Sequence, residues 1–277
     1  MVRSLVVLGD STTVGVGDPV SGGWRGVGRL LAAAFAGARY TNPSFPGARV
    51  ADVRRKQLPA ALAQVPDAAV VLVGMNDTLR SDFDAVRLHE DLDAIVGELV
   101  AAGSAVVTVR FHDHSRVFRL PGALRRALKG RIEELNAVVD AVVKRHGAGC
   151  VDLDLMEGAY ELDTWAVDRL HPSELGHRRL ALAFANRLAD QGCAVTEPVS
   201  LVCTGGLRIT PLHHVAWLLI KGIPWVWRRS RDLLPYAIAI FYRAWIGRPE
   251  TRRALMLDDE AVATADLGDH RLSIETP

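Results

Sequence analysis

Four short apolar runs, each followed by a stretch with helical periodicity, constrain the fold of this chain more than any other feature. Leu5–Leu8, Ala69–Val73, Ala105–Arg110 and Cys150–Leu153 are rich in valine and leucine and lack the regular in–out alternation of a half-solvated strand. Runs of that length and composition are strands buried on both faces. Helical spacing follows over Trp24–Phe35, Phe83–Val100 (Val86, Ile95 and Leu99 on one side), Leu124–Lys144, and from about Ser173 to Ala189. Alternation of this kind needs crossover connections, and it predicts an α/β fold whose parallel sheet is covered by helices on both faces. Ligands in such folds bind beyond the carboxyl ends of the strands, so the residues that follow each run are the ones to weigh for chemistry.

Directly after the first run stands Gly9-Asp10-Ser11-Thr12. A serine there presents its hydroxyl at the mouth of the sheet, and its own N–H faces charge developing at a helix N-terminus. Alone, Gly-Asp-Ser is ordinarily a helix cap. Partners farther along change that reading. A serine hydroxyl is a weak nucleophile near neutral pH and needs an imidazole to take its proton. Asp168-Arg169-Leu170-His171, near the end of the strand–helix pattern, offers one. His171 is the expected base, and Asp168 the acid that holds the ring in the required tautomer. Pro172 keeps the preceding backbone extended, and Ser173 opens the next helix. Asp10 is assigned a structural role in the loop.

Acyl transfer through a tetrahedral intermediate also needs donors aimed at an alkoxide. Three are available: the Ser11 N–H, the Gly47 N–H and the Asn76 side-chain amide. Gly47 closes Pro43-Ser44-Phe45-Pro46-Gly47, where two prolines stiffen the loop and a glycine admits close approach. Asn76 follows the second run in Gly74-Met75-Asn76-Asp77. Taken singly, Gly47 and Asn76 read as ordinary turn residues. Asp77 is expected to brace the loop or cap a helix.

In this order the four blocks resemble the SGNH (GDSL-type) hydrolases, named for an invariant Ser, Gly, Asn and His. They correspond here to Ser11, Gly47, Asn76 and His171, and the last block runs on to Pro172 and Gly176. The pattern spans roughly residues 5–190. Thr12 stands where the family usually has Leu or Ser, a departure without expected effect on the chemistry. The resemblance implies a flavodoxin-like three-layer fold and a two-step acyl-enzyme mechanism without metal or cofactor. The implied substrate is an acyl or acetyl ester of a small alcohol, a lipid or a sugar. Thioesterase, lysophospholipase and acyltransferase activities are alternatives on the same residues. A non-catalytic, membrane-associated binding protein is the alternative of another class.

The remaining residues add less. Lys+Arg 33 against Asp+Glu 32 gives a formal charge of +1, which argues against nucleic acid as a partner. His112 and His114 flank Asp113 after the third run, but a metal site would need more ligands at a recognisable spacing. Arg110 or His112 is a candidate substrate contact. Arg54-Arg55-Lys56 and Arg125-Arg126 read as solvated helix faces. Cys150, Cys193 and Cys203 have neither disulfide nor metal spacing and suit a reducing compartment. Between Arg3 and Gly9 there is a strand's length of apolar residues, too short for a secretory h-region, so a cytoplasmic protein is expected.

Composition changes near residue 196. A hydrolase domain over 1–195 and an extension over 196–277 are expected, joined by a linker-like Pro198–Gly206. Leu212–Trp227 and Leu233–Ile246 carry four of the six tryptophans and read as an apolar helical segment. Neither piece reaches the roughly 20 residues a membrane-spanning helix needs. Packing of 212–246 over the hydrolase core, or at a dimer interface, is the favoured reading. Arg228, Arg229 and Arg231 beside Trp225 and Trp227 suit the other one, a helix lying on a membrane surface. His213 and His214 are expected to cap or snorkel there.

Overall fold

A computed structural model describes residues 1–117 and 121–205, together with Ile238 and Tyr242. The expected apolar helical segment, the basic cluster at 228–231 and His213-His214 lie outside the described residues, apart from those two exposed positions.

Five strands form one parallel sheet: β1 (Ser4–Gly9), β2 (Arg39–Thr41), β3 (Ala68–Leu72), β4 (Ala105–Arg110) and β5 (Gly149–Asp152). Their spatial order is β2-β1-β3-β4-β5. Leu5 stands opposite Tyr40 on one side and Ala68 on the other, and Gly9 opposite Leu72. Every residue of β1 and β3 is buried, which is why both runs are apolar without alternation. The order is the flavodoxin-like one, with its direction reversing between β1 and β3.

Five longer helical stretches cover the sheet: α1 (Gly26–Ala33), α2 (residues 50–62), α3 (Ala85–Ala101), α4 (Gly122–His146) and α5 (Glu174–Asp190). Right-handed crossovers send the β1–β2 connection to one face and the later ones to the other. Accordingly α1 packs with α5, while α3 packs with both α2 and α4. The core-facing stripe of α3 is Leu88, Leu92, Ile95, Val96 and Leu99. Val86, expected on that side, is instead exposed, because two residues from Leu88 is about 200° around a helix. Asp84 caps α3 by accepting from the Val86 and Arg87 N–H groups.

Two elements escape the periodicity. The edge strand β2 is Arg-Tyr-Thr, three residues with no apolar run. In α2 the polar Val53–Gln57 turn is π-helical and precedes Pro59, which has no N–H to donate. Gln57 lies fully buried within it. Its side chain accepts from the Gly9 N–H at 2.9 Å and donates to the Gly9 carbonyl at 2.8 Å, clamping the end of β1 just ahead of Ser11. A side chain at Gly9 would collide with the Leu72 carbonyl, so the sheet itself demands glycine there.

Past α5 the chain stays fastened to the domain. The Thr196 hydroxyl donates to the Ala34 carbonyl at 3.0 Å, and Arg178 donates to the Ser200 carbonyl at 2.7 Å. The Thr204 N–H reaches Glu174 at 2.7 Å, where Arg25 and Arg178 also converge on that carboxylate at 2.6 and 2.9 Å. Together these contacts hold the Glu174 carboxyl down to about 2, against the opposing effect of burial. Pro198–Gly205, linker-like in composition, is therefore docked, and it ends at the first turn of α5. Among the described residues no helix is long and apolar enough to cross a membrane.

Candidate active site

Ser11 begins a one-turn helix, Ser11–Val14, immediately beyond β1, and Asn76 lies in another, Met75–Thr78, just beyond β3. The two strands flank the point where the strand order reverses, so both residues emerge into the crevice that such folds use for ligands. His171 arrives from the opposite end of the sequence, on the loop that leads into α5.

Ser11 and His171 meet. The Ser11 Oγ lies 2.8 Å from the His171 Nε2, and the His171 Nδ1 lies 2.6 Å from the Asp168 Oδ2. The other Asp168 oxygen accepts from the Leu170 and His171 backbone N–H groups at 2.9 and 3.0 Å. Burial alone would raise the Asp168 carboxyl. Hydrogen bonds from the His171 ring and these two amides outweigh it and hold the group below its ordinary value. An ionised acid, an oriented ring and a hydroxyl in line is the geometry in which an imidazole takes a proton from serine.

Asn76 joins the site through the residue before Ser11. Its amide nitrogen donates to the Asp10 Oδ2 at 3.0 Å and to the Ala48 carbonyl at 3.1 Å. Through Ala48 it touches the loop that carries Gly47, which is exposed and left-handed at φ 82°. No neighbour would block a side chain at Gly47, so glycine is favoured there by its backbone conformation alone. Asp77 braces the same loop, accepting from the Arg49 side chain at 3.0 Å and the Val50 N–H at 3.2 Å. Ser11, His171 and Asp168 are in direct contact, whereas Asn76 is tied to Asp10 and Ala48, the chain neighbours of Ser11 and Gly47.

Asp10 does more than sequence reasoning assigns to it. The second carboxylate oxygen accepts from the Thr12 N–H at 2.9 Å, so one buried group caps the Ser11 turn and holds the Asn76 amide. Desolvation pushes its carboxyl up to about 6, against the Thr12 hydrogen bond and nearby His171. Its place beside Ser11 in the first block is the one signal the sequence offers. Gln57 has none, being a single amide in a run of charged residues.

A pocket of about 550 Å³, its open mouth included, lies next to the pair, lined by their chain neighbours and not by Ser11 or His171 themselves. Asp10, Thr12 and Pro172, neighbours of Ser11 and His171, stand at it, and Met75, Phe111 and Trp165 make much of its wall. His112 lines this pocket, although its ring is buried. Arg110 is tied to Asp140 at 3.0 Å and Asp152 at 2.9 Å, ion pairs that account for it without substrate. His112 and His114 bond to each other, ring nitrogen to ring nitrogen at 2.8 Å. Among the described residues no group of three His, Cys, Asp or Glu side chains is arranged to hold a metal.

Residues 7–179 match the model of the GDSL-like lipase/acylhydrolase family. No curated protein matches the chain. Several solved structures do. A psychrotrophic esterase, EstA, from a Pseudoalteromonas species is 18% identical over 69% of this chain and 100% of its own, with a TM-score of 0.53. The lipase/acylhydrolase from Enterococcus faecalis is 21% identical over 68% of this chain and 96% of its own, at 0.54. The acetylxylan esterase Axe2 from Geobacillus stearothermophilus is 18% identical over 73% and 97%, at 0.55. At these identities the likeness speaks for the fold, and the family model, matching well over half of the chain, for its membership. This chain belongs to the GDSL-like lipase/acylhydrolase family and is an ester hydrolase.

Proposed function

We propose that the protein cleaves carboxylic esters through an acyl-enzyme formed on Ser11. His171 takes the Ser11 proton as the hydroxyl attacks the ester carbonyl and then gives it to the departing alcohol. The same ring activates water in the second half of the cycle. Asp168 holds the ring with its Nδ1 protonated and stabilises the imidazolium. The alkoxide is received by the N–H groups of Ser11 and Gly47 and by the Asn76 amide, where it competes with the Ala48 carbonyl for one N–H. The observation that carries this reading is the 2.8 Å contact between Ser11 Oγ and His171 Nε2.

Asn76→Ala is expected to lower kcat by about 10²–10³, the usual cost of one oxyanion donor. Asp10 acts partly through that amide and partly by capping the Ser11 turn, so Asp10→Ala should lower kcat in the wild type and by a smaller factor in an Asn76→Ala background. Additive losses in that double-mutant cycle would separate Asp10 from Asn76. The pH dependence has a defined sign. The Asp10 pKa is raised on folding, so its ionisation costs stability, on the order of 3 kcal/mol, absent below the ordinary 3.8 and complete above about 6. Ionised Asp10 is also the form that accepts from both Thr12 and Asn76, so part of the acid limb of kcat should belong to it.

The apolar pocket supports a short acyl or acetyl group on a small alcohol, a lipid or a sugar. A lipid-like ester is favoured by one further feature of the sequence, the Trp-, Leu- and Ile-rich composition of 212–246. In this reading 1–195 is the hydrolase domain and 212–246 contacts a membrane surface or roofs the cleft. A chain ending at Gly205 tests it. Turnover of p-nitrophenyl acetate should be unchanged by the truncation, while turnover of long-chain esters and pelleting with anionic vesicles should fall. Identical chain-length profiles and pelleting would remove the extension from substrate handling.

A further inference from the structure

Beneath the catalytic loop lie two buried imidazoles that the reaction as described does not use. The chain leaving β4 is clamped to α4: the Phe111 N–H donates to the Asn136 Oδ1 at 2.8 Å, and the Asn136 amide donates to the Phe111 carbonyl at 2.7 Å. This sends His112 and His114 inward, each only 2–3% exposed. Both rings pack on Trp165, at 4.9 Å between centroids. The His114 Nδ1 lies 2.8 Å from the His112 Nε2, and the His114 Nε2 lies 2.9 Å from the Arg169 carbonyl.

The chemistry of these contacts fixes a direction. A carbonyl only accepts, so the His114 Nε2 carries a hydrogen. Burial keeps both rings neutral, pushing His112 down to about 4 and His114 to about 3. A neutral ring has one N–H, so the His114 Nδ1 is a lone pair and the His112 Nε2 must donate to it. The chain of donors runs from His112 to His114 to Arg169. Arg169 is the middle of the acid–base loop, left-handed at φ 54° although it is not glycine. On either side of its carbonyl are Asp168 and the two N–H groups that Asp168 accepts.

We propose that His112 and His114 are positioning residues: a two-imidazole relay whose last N–H holds the Arg169 carbonyl, and through it keeps Asp168 and His171 aligned on Ser11. This rests on the assignment of His171 and Asp168 above. The first test compares His114→Phe, which fills the volume without a donor, with His114→Gln, which keeps an N–H near the ε2 position. His171→Ala is the reference. On p-nitrophenyl acetate, His114→Phe should lower kcat roughly 10- to 100-fold with KM little changed, the scale of a misplaced catalytic group. His114→Gln should recover most of that loss. Wild-type kcat in His114→Phe, or equal losses in Phe and Gln variants, would overturn the relay while an inactive His171→Ala leaves the base assignment standing. An active His171→Ala would overturn the assignment itself. The second test needs no variant: long-range ¹H–¹⁵N spectra of the wild-type protein at neutral pH. Both rings should be neutral with hydrogen on Nε2. An imidazolium, or hydrogen on Nδ1 of either ring, would overturn the proposal.

Discussion

Ser11→Ala is expected to lower kcat by about 10⁵–10⁶ while leaving a folded protein. The hydroxyl makes one contact of consequence, to the His171 Nε2 at 2.8 Å, and the turn that holds it is capped by Asp10 instead. Alanine is a good helix former at that place, so the change in stability should stay within about 1 kcal/mol. What disappears is the atom proposed to become acylated. The residual rate would come from the donors around the site, which still polarise a bound ester for attack by water. Turnover within about tenfold of wild type would take Ser11 out of the mechanism.

Asp168→Asn should cost about 10⁴ in kcat, and for a reason that geometry makes specific. The Asp168 Oδ1 accepts two backbone N–H groups, from Leu170 and His171, and the oxygen of the substituted amide can keep both. The loop is then retained, and the amide nitrogen is left facing the His171 Nδ1 where the carboxylate stood at 2.6 Å. That nitrogen has only hydrogens to offer. The ring must present a lone pair at Nδ1 and carry its hydrogen at Nε2, the wrong tautomer for receiving the Ser11 proton. Losses confined to kcat, with thermal unfolding little changed, are the expected signature. A variant with nearly full activity would mean that Asp168 does not set the tautomer.

Much of this arrangement can be read from the chain because the Ser11 and Asn76 blocks directly follow strands and the His171 block directly precedes a helix. The four apolar runs match β1, β3, β4 and β5 to within a residue; β1 and β3 are buried throughout and β4 in its middle, which demands continuous apolar sequence, whereas β5, at the sheet edge, buries only Val151. The edge strand β2 and the π-helical turn of α2 leave no such trace: one is three residues long, and the other hides a buried Gln57 among Arg and Lys. At the site, Ser11 and His171 are identifiable as a pair although they stand 160 positions apart, because serine chemistry requires an imidazole. The carboxylate of Asp10 under Asn76, and the His114 bond to Arg169, depend on side-chain directions that spacing does not encode. Val86 shows the same limit within one helix, where an apolar residue lies off the stripe and in solvent.

The most direct measurement is stoichiometric labelling with a p-nitrophenyl alkylphosphonate, followed by peptide mass mapping. One p-nitrophenol should be released per chain, with a single adduct on Ser11 and loss of esterase activity in step with labelling. Ser11→Ala should take up no label, and His171→Ala should react far more slowly. An adduct on another residue, or full esterase activity in protein labelled stoichiometrically at Ser11, would contradict an acyl-enzyme at this serine.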